Sequence, residues 1–217
     1  MISTGNDIVA LKAINIARTK QQNFYSKIIS DSEKGLYDQQ FLERLPFEHF
    51  VWLLWSIKES VYKYLQRITP GLVFSPTKVI INQLERPLNN TISILEGRDF
   101  NDKAVYKGVV KFGAHSLYSR SIITEDFIFS VVNHTNDFER VLWGIRPIDS
   151  SEPDHQSDVV RTFAISMLTT LFPGAELKID KNLHGIPVLL KNGIEIPVPI
   201  SLAHHDHYVA YSFAVSA

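Results

Sequence analysis

Between Phe47 and Ile68 the apolar residues recur with the period of an α-helix. At 100° per residue, Phe47, Phe50, Val51, Leu54, Val61, Leu65 and Ile68 share one stripe. The pattern predicts one long helix from about Pro46 to Ile68, stopped by Thr69-Pro70-Gly71. Lys58 falls inside the stripe, so a buried ammonium that must find a partner is expected. On a flanking face Glu59 and Lys63 lie one turn apart, beside Trp52 and Ser56. A carboxylate and an ammonium thus point into the same space, with a plain surface ion pair as the alternative.

Upstream, Met1–Val9 reads as a short strand. Helical patterns follow over Ala10–Lys20 and Asp31–Gln40, the second with a capping box at Ser30 and Glu33. Downstream the period changes to that of strands: Lys78–Leu84, Thr91–Leu95, Ala104–Phe112, Leu117–Ile123 and Phe127–Val132. Residues 146–158 are polar, contain two prolines and read as a connector. A helix over Asp158–Phe172 comes next, then strands at Leu177–Ile179, Pro187–Leu189, Ile196–Leu202 and Tyr208–Val215, the last two joined by His204-His205-Asp206-His207. Both parts run helix first and antiparallel strands second, a diverged internal repeat. The expected class is α+β: two similar half-domains, each with helices on an antiparallel sheet, forming a pseudo-dimer. The first spans residues 1–145 and the second 155–217, with 146–154 as linker.

Composition narrows the function. With 217 residues, 45% of them hydrophobic, the chain can bury a real core. Its 22 basic and 23 acidic residues give a net charge of −1, so no nucleic-acid track or membrane-surface patch is expected, and any anion site is local. There is no cysteine, which excludes disulfides, thiolate metal sites and a cysteine nucleophile and agrees with a reducing cytoplasm. No apolar run approaches the roughly 20 residues of a membrane span, and no leader pattern opens the sequence. A cytoplasmic, soluble protein is expected.

Three places hold candidate chemistry. Asp7 sits where the first strand ends, and Gly5 before it leaves room for a backbone or ligand to approach. Either Asp7 caps the next helix or it joins Glu59 in a two-carboxylate oxygen site, which suits Mg2+ holding substrate phosphates, with Lys63 neutralising a phosphate oxygen. The histidine turn does not suit zinc, because adjacent residues of a tight turn diverge and no cysteine completes a tetrahedral set. Exposed turn histidines or one ligand-binding histidine remain. Trp52, Trp55, Tyr62 and Tyr64 are at helical spacing and read as core, and no nucleophile elbow or P-loop is present.

G-N-D-I-V (Gly5–Val9), W-S-I-K-E-S-V-Y-K (Trp55–Lys63) and I-S-L-A-H-H-D-H-Y-V-A (Ile200–Ala210) together resemble the signature of the 4'-phosphopantetheinyl transferase superfamily. F-Y-S-K-I-I-S-D-S-E (Phe24–Glu33) resembles the stretch before the family's helix. The resemblance implies Mg2+-dependent transfer of the phosphopantetheine arm of coenzyme A to a serine of an acyl or peptidyl carrier protein, with release of 3',5'-ADP, as in holo-acyl-carrier-protein synthases of fatty acid biosynthesis. Asp7 and Glu59 would be the metal ligands, and Glu59 the base for the serine hydroxyl. Lys63 would hold phosphate and His204 the nucleotide-phosphate end of coenzyme A. Lys58 fits a phosphate contact or a structural ion pair.

The order of motifs is the reverse of that in the two-half, surfactin-type members and matches the shorter synthases that assemble as trimers. A single chain with swapped halves, working as a monomeric pseudo-dimer with one site at its internal interface, is therefore expected. Ile186 stands where two-half members have a phosphate-binding lysine, and Ala203 replaces a serine of the histidine motif. Lys178, Lys181 and Arg161 are the candidate replacements for the lost cation. A carrier-protein surface rich in acid would dock near Arg18, Lys20 and Lys27. The competing expectation is a homologue that binds carrier protein or coenzyme A without turnover.

Overall fold

Strand β1 (Gly5–Ala10) opens the chain and is buried along its whole length. The computed structural model describes residues 3–41, 44–88 and 95–215. The helix expected over Ala10–Lys20 is instead a 3-10 turn at Leu11–Ala13 followed by two single-turn helices, α1 (Ile16–Thr19) and α2 (Gln22–Tyr25). Asn15 explains the break: its side chain accepts from the Arg18 amide at 2.9 Å and starts a new helix there. Helix α3 (Asp31–Gln40) begins with the expected capping box of Ser30 and Glu33.

Helix α4 (Phe47–Ile68) is the long helix of the sequence pattern. It buries the expected stripe except its ends, Phe47 and Ile68, which are half-buried, and also Leu53, Ser56, Ile57, Ser60 and Tyr64, because it is covered on more than one side. Its first cover is a five-stranded antiparallel sheet made of β2 (Ile80–Glu85), β4 (Tyr106–Phe112), β5 (His115–Ile123) and β6 (Phe127–Asn133) together with β1. Strand β3 (Glu96–Arg98) lies elsewhere, and the strand expected at Thr91–Leu95 falls, apart from Leu95, outside the described residues. The sheet order is β1-β6-β5-β4-β2.

Strand β7 (Val141–Pro147) went unmarked in the sequence pattern. Helix α5 (Pro153–Leu171) starts five residues before the expected Asp158, since Pro153 occupies the first turn, where its missing N–H costs nothing. The remaining strands are β8 (Leu177–Lys181), β9 (Pro187–Lys191), β10 (Ile194–Ile196), β11 (Ile200–His205) and β12 (Tyr208–Ala214). The single strand expected over Ile196–Leu202 is split into β10 and β11 by Pro197 and Pro199, which cannot donate to a ladder. These strands form a β10-β9-β8 sheet and a β11-β12-β7-β3 sheet.

Two connectivities match. A strand (β1 or β7) leads to a long helix (α4 or α5) and then to a run of antiparallel strands whose last member (β6 or β12) returns to pair with the first. The second copy of this pattern starts at β7, within the segment read from sequence as the end of the first half. Alternation along the strands sorts the core into layers. In β6, Ile128 and Val132 face α4, while Phe127, Phe129 and Val131 face Trp143 and Ile145 of β7 and Ala210 of β12. Leu142, Val209, Tyr211 and Phe213 face Phe163, Ala164 and Leu168 of α5. The order is helix, sheet, sheet, helix, an α+β architecture.

Lys58 is fully buried and points between α3 and α4, donating to Glu33 Oε2 at 2.7 Å and to the Ile28 carbonyl at 2.6 Å. Burial pushes its pKa down and Glu33 opposes that. Glu33, also fully buried, accepts from the Ser30 amide and hydroxyl and from the Ile81 amide as well. One carboxylate thus ties α3, α4 and β2 together. Lys58→Met strands that carboxylate and is expected to lower unfolding stability by about 3–5 kcal/mol. The double variant with Glu33→Gln should regain part of the loss, as read by chemical denaturation.

Candidate active site

The site begins at the crossing of β1 over α4. A Cβ on Gly5 would stand 1.9 Å from the Ser60 carbonyl oxygen and 2.7 Å from the Tyr64 nitrogen, so only glycine permits the contact. Ser56 and Ser60 keep the helix side equally thin, and the Ser56 hydroxyl donates to the Asp7 carbonyl at 3.4 Å. Asp7 lies within β1 and caps no helix. The crossing instead sets its carboxyl against the face of α4 that carries Glu59 and Lys63.

Lys63 Nζ donates to Asp7 Oδ1 at 3.2 Å and to the Asn6 carbonyl at 3.0 Å. The ammonium therefore pairs with the strand and not with Glu59 one turn before it. Asp7 Oδ2 is buried with no hydrogen-bond partner. Burial raises the pKa of Asp7, against the pull of Lys63. Burial first, and the nearby Asp7 second, push Glu59 up to about 7, with Lys63 opposing. Two crowded carboxylates, one ammonium and an orphaned acceptor form an oxygen site that lacks positive charge. Among the described residues no group of three or more His, Cys, Asp or Glu side chains is placed to hold a metal ion by itself, and Asp7 and Glu59 offer two carboxylates with open positions. That donor set fits Mg2+ shared with a substrate's phosphates.

The second half closes the site. Asp7, Glu59 and Lys63 line a cleft lobe of about 490 Å³ whose other walls include Trp52, Trp55, His204 and His205. Lys63, Leu202 and His204 also line a neighbouring lobe of about 190 Å³, with Arg67, Arg161, Lys181 and Ile186. His204 stands open to solvent on one side. The cleft walls and then the charges of Lys63 and Lys181 hold its pKa below the usual value, which favours the neutral ring. The cleft thus has an acidic end and a cationic end, with Lys63 and His204 between them.

Of the residues singled out from sequence, Asp7, Glu59, Lys63 and His204 are brought together. Lys58 is not: it takes the structural ion pair and has no exposed surface. Lys178 pairs with Asp180 at 2.8 Å and does not line the cleft, whereas Lys181 and Arg161 do. Arg161 also donates to the Ser157 hydroxyl at 2.5 Å. Sequence reasoning missed Arg67, which reaches from α4 to the carbonyls of Pro187 and Ile200. It also took Trp52 and Trp55 for core, although both are half-buried walls of the cleft. Their place at the edge of the buried arc of α4 was the available signal.

The family model of the 4'-phosphopantetheinyl transferase superfamily matches residues 3–117, more than half of the chain and all of the Asp7, Glu59 and Lys63 constellation. The chain belongs to this superfamily. No curated protein and no solved structure matches it. As a superfamily member it is a transferase of the phosphopantetheinyl class. Among the described residues no helix is long and apolar enough to cross a membrane.

The raised pKa of Glu59 has a sign that can be tested. The folded state holds the proton more tightly than the unfolded chain, whose glutamates titrate near pH 4.3. In metal-free protein the resulting penalty is absent below that pH, builds as pH rises towards about 7 and is complete above it. Glu59→Gln removes the penalty, so its melting temperature should exceed that of the wild type by roughly 2–4 °C or more at pH 8 and match it at pH 4. Calorimetric melting in the presence of a chelator measures both.

Proposed function

We propose that this protein transfers the 4'-phosphopantetheine arm of coenzyme A to a serine hydroxyl of an acyl or peptidyl carrier protein, with Mg2+, and releases 3',5'-ADP. The convergence of Asp7, Glu59 and Lys63 in one cleft is the observation that supports it. The serine oxygen attacks the phosphorus that bears the pantetheine arm, and the bond from that phosphorus to the bridging oxygen of 3',5'-ADP breaks. The serine proton goes to Glu59, directly or through a water. Asp7 and Glu59 would hold Mg2+, which when bound supplies positive charge to the pyrophosphate oxygens.

Lys63 is held by Asp7 Oδ1 and the Asn6 carbonyl and so is positioned before substrate arrives. It neutralises charge on the transferring phosphate, where fixed donors contribute most. His204 contacts the nucleotide-phosphate end. Arg161 and Lys181 take the part of the lysine that Ile186 replaces, since both line the cationic lobe beside the buried Ile186. Arg18, Lys20 and Lys27 are exposed, and Arg18 lies over Phe24, which touches Trp52 at the cleft wall. An acidic carrier protein docking there delivers its serine to the carboxylate end.

The repeat of strand, helix and returning strands supports a monomeric pseudo-dimer with the site between its halves. The holo-acyl-carrier-protein synthase type, within fatty acid biosynthesis, agrees with the motif order.

The test is mass spectrometry of apo carrier protein incubated with this protein, coenzyme A and Mg2+. The expected result is a gain of one phosphopantetheine on the carrier serine, with the rate lowered by roughly a hundredfold or more in Asp7→Asn and in Glu59→Gln. Lys181→Ala should raise KM for coenzyme A more than it lowers kcat. No gain with several carriers, with coenzyme A binding intact, would instead establish the homologue without turnover.

A further inference from the structure

We propose that His205 is a further ligand-binding residue of the cleft: a neutral imidazole locked with its proton on Nε2, which it donates to an anionic oxygen of the bound substrate. The inference rests on the reading of the cleft as a coenzyme A site. It starts from the edge of β1. One edge of that strand pairs with β6, and the other meets β11 without forming a ladder. Side chains of β11 close the gap: the Ser201 hydroxyl accepts from the Asn6 amide at 3.0 Å, and His205 Nδ1 accepts from the Ala10 amide at 2.9 Å. Ala203, between them, presents no polar atom.

A backbone amide is always a donor, so the atom it meets must offer a lone pair. Nδ1 is therefore unprotonated, and in the neutral ring the proton sits on Nε2. The tautomer follows from the backbone and not from an assumed hydrogen position. Nε2 itself has no protein partner among the described residues, while the ring lines the lobe that holds Asp7, Glu59 and Lys63. Ser201 shows that a small hydroxyl is enough to satisfy an amide on this edge. The imidazole is larger than the seam requires, and its remaining N–H is an uncommitted donor at the acidic end of the cleft. The same bond removes His205 from the list of bases, since the Ala10 amide occupies its one lone pair. Lys63 and His204 line the same lobe, and Nε2–H joins them around an oxyanion.

The experiment separates the two ring nitrogens. His205→Asn keeps an acceptor where Nδ1 stands and removes the distal N–H, whereas His205→Ala removes both. Coenzyme A binding with Mg2+ is measured by calorimetry on the full chain, beside the melting temperature. The asparagine variant should keep the wild-type melting temperature and lose roughly tenfold to a hundredfold in affinity. The alanine variant should lose affinity and melt lower. Nitrogen-15 NMR of the wild type should show an unprotonated Nδ1 on His205 and an Nε2 resonance that moves when coenzyme A is added. An asparagine variant that binds like the wild type, or a protonated Nδ1, overturns the inference. Wild-type protein that binds no coenzyme A overturns the reading of the cleft, and this inference with it.

Discussion

The contact between Gly5 and the backbone of Ser60 fixes the geometry on which the site depends. Strand and helix touch main chain to main chain, because a side chain at Gly5 would occupy the Ser60 carbonyl. At that distance hydroxyl groups are trapped, and those of the two serines at the crossing find backbone partners at once. The Ser60 hydroxyl bonds the carbonyls of Ser56 and Ser130, and the Ser3 hydroxyl reaches the Tyr64 carbonyl. Unpaired groups in such a place would cost about 1–3 kcal/mol each. With β1 pinned in this way, Asp7 has no freedom to leave the face of α4, and Lys63 is drawn onto the strand. The carboxylate pair is a consequence of packing as much as of its own chemistry.

Around the cleft, away from the β3–β7 ladder, the second half is joined to the first through side chains. Ser201 and His205 bond the β1 edge, and the Thr4 and Ser212 hydroxyls meet at 3.0 Å. Arg67 grips the carbonyls of Pro187 and Ile200 from the end of α4. Between these ties the halves part into the cleft, and residues of both halves line it. The carboxylates come from β1 and α4, and Arg161, Lys181 and His204 come from α5, β8 and β11. A polar seam of this kind holds two sheets in register while leaving room for a ligand, which an unbroken sheet ladder would fill.

Much of this was legible because the residues involved violate a local pattern. Gly5 in a strand, Lys58 in an apolar stripe, and Glu59 and Lys63 one turn apart each break the simplest expectation, and each has a structural cause. Lys58 was legible as buried but not as to its partner, since Glu33 comes from another helix. Strand β7 escaped because it is buried on both faces, with Trp143 and Ile145 inward to one core and Leu142 to the other. Such a strand lacks the polar alternation that marks a half-exposed one. Gly144 within it weakened the pattern further, although it is there because a Cβ would stand 2.7 Å from the Tyr211 ring. The helix expected over Ala10–Lys20 failed on capping, which acts at single residues. His205 could not be told from its neighbours, because the Ala10 amide that defines its tautomer is 195 residues away.

Lys58 and Glu59 are adjacent, yet one is sealed in the interior and the other faces the cleft. Successive residues of a helix are about 100° apart, so the rotation that buries Lys58 against Glu33 also aims Glu59. Hydrophobic burial of the apolar arc of α4 sets its rotation only coarsely, since that attraction has no direction. The ion pair does: Lys58 Nζ must meet both Glu33 and the Ile28 carbonyl, and Glu33 is itself held by Ser30 and Ile81. A turn of the helix by even a fraction of one residue would break bonds to a buried charge, a loss of several kcal/mol. The buried pair touches nothing in the cleft. It sets the phase of the helix, and through that phase the direction in which Glu59 and, one turn later, Lys63 point.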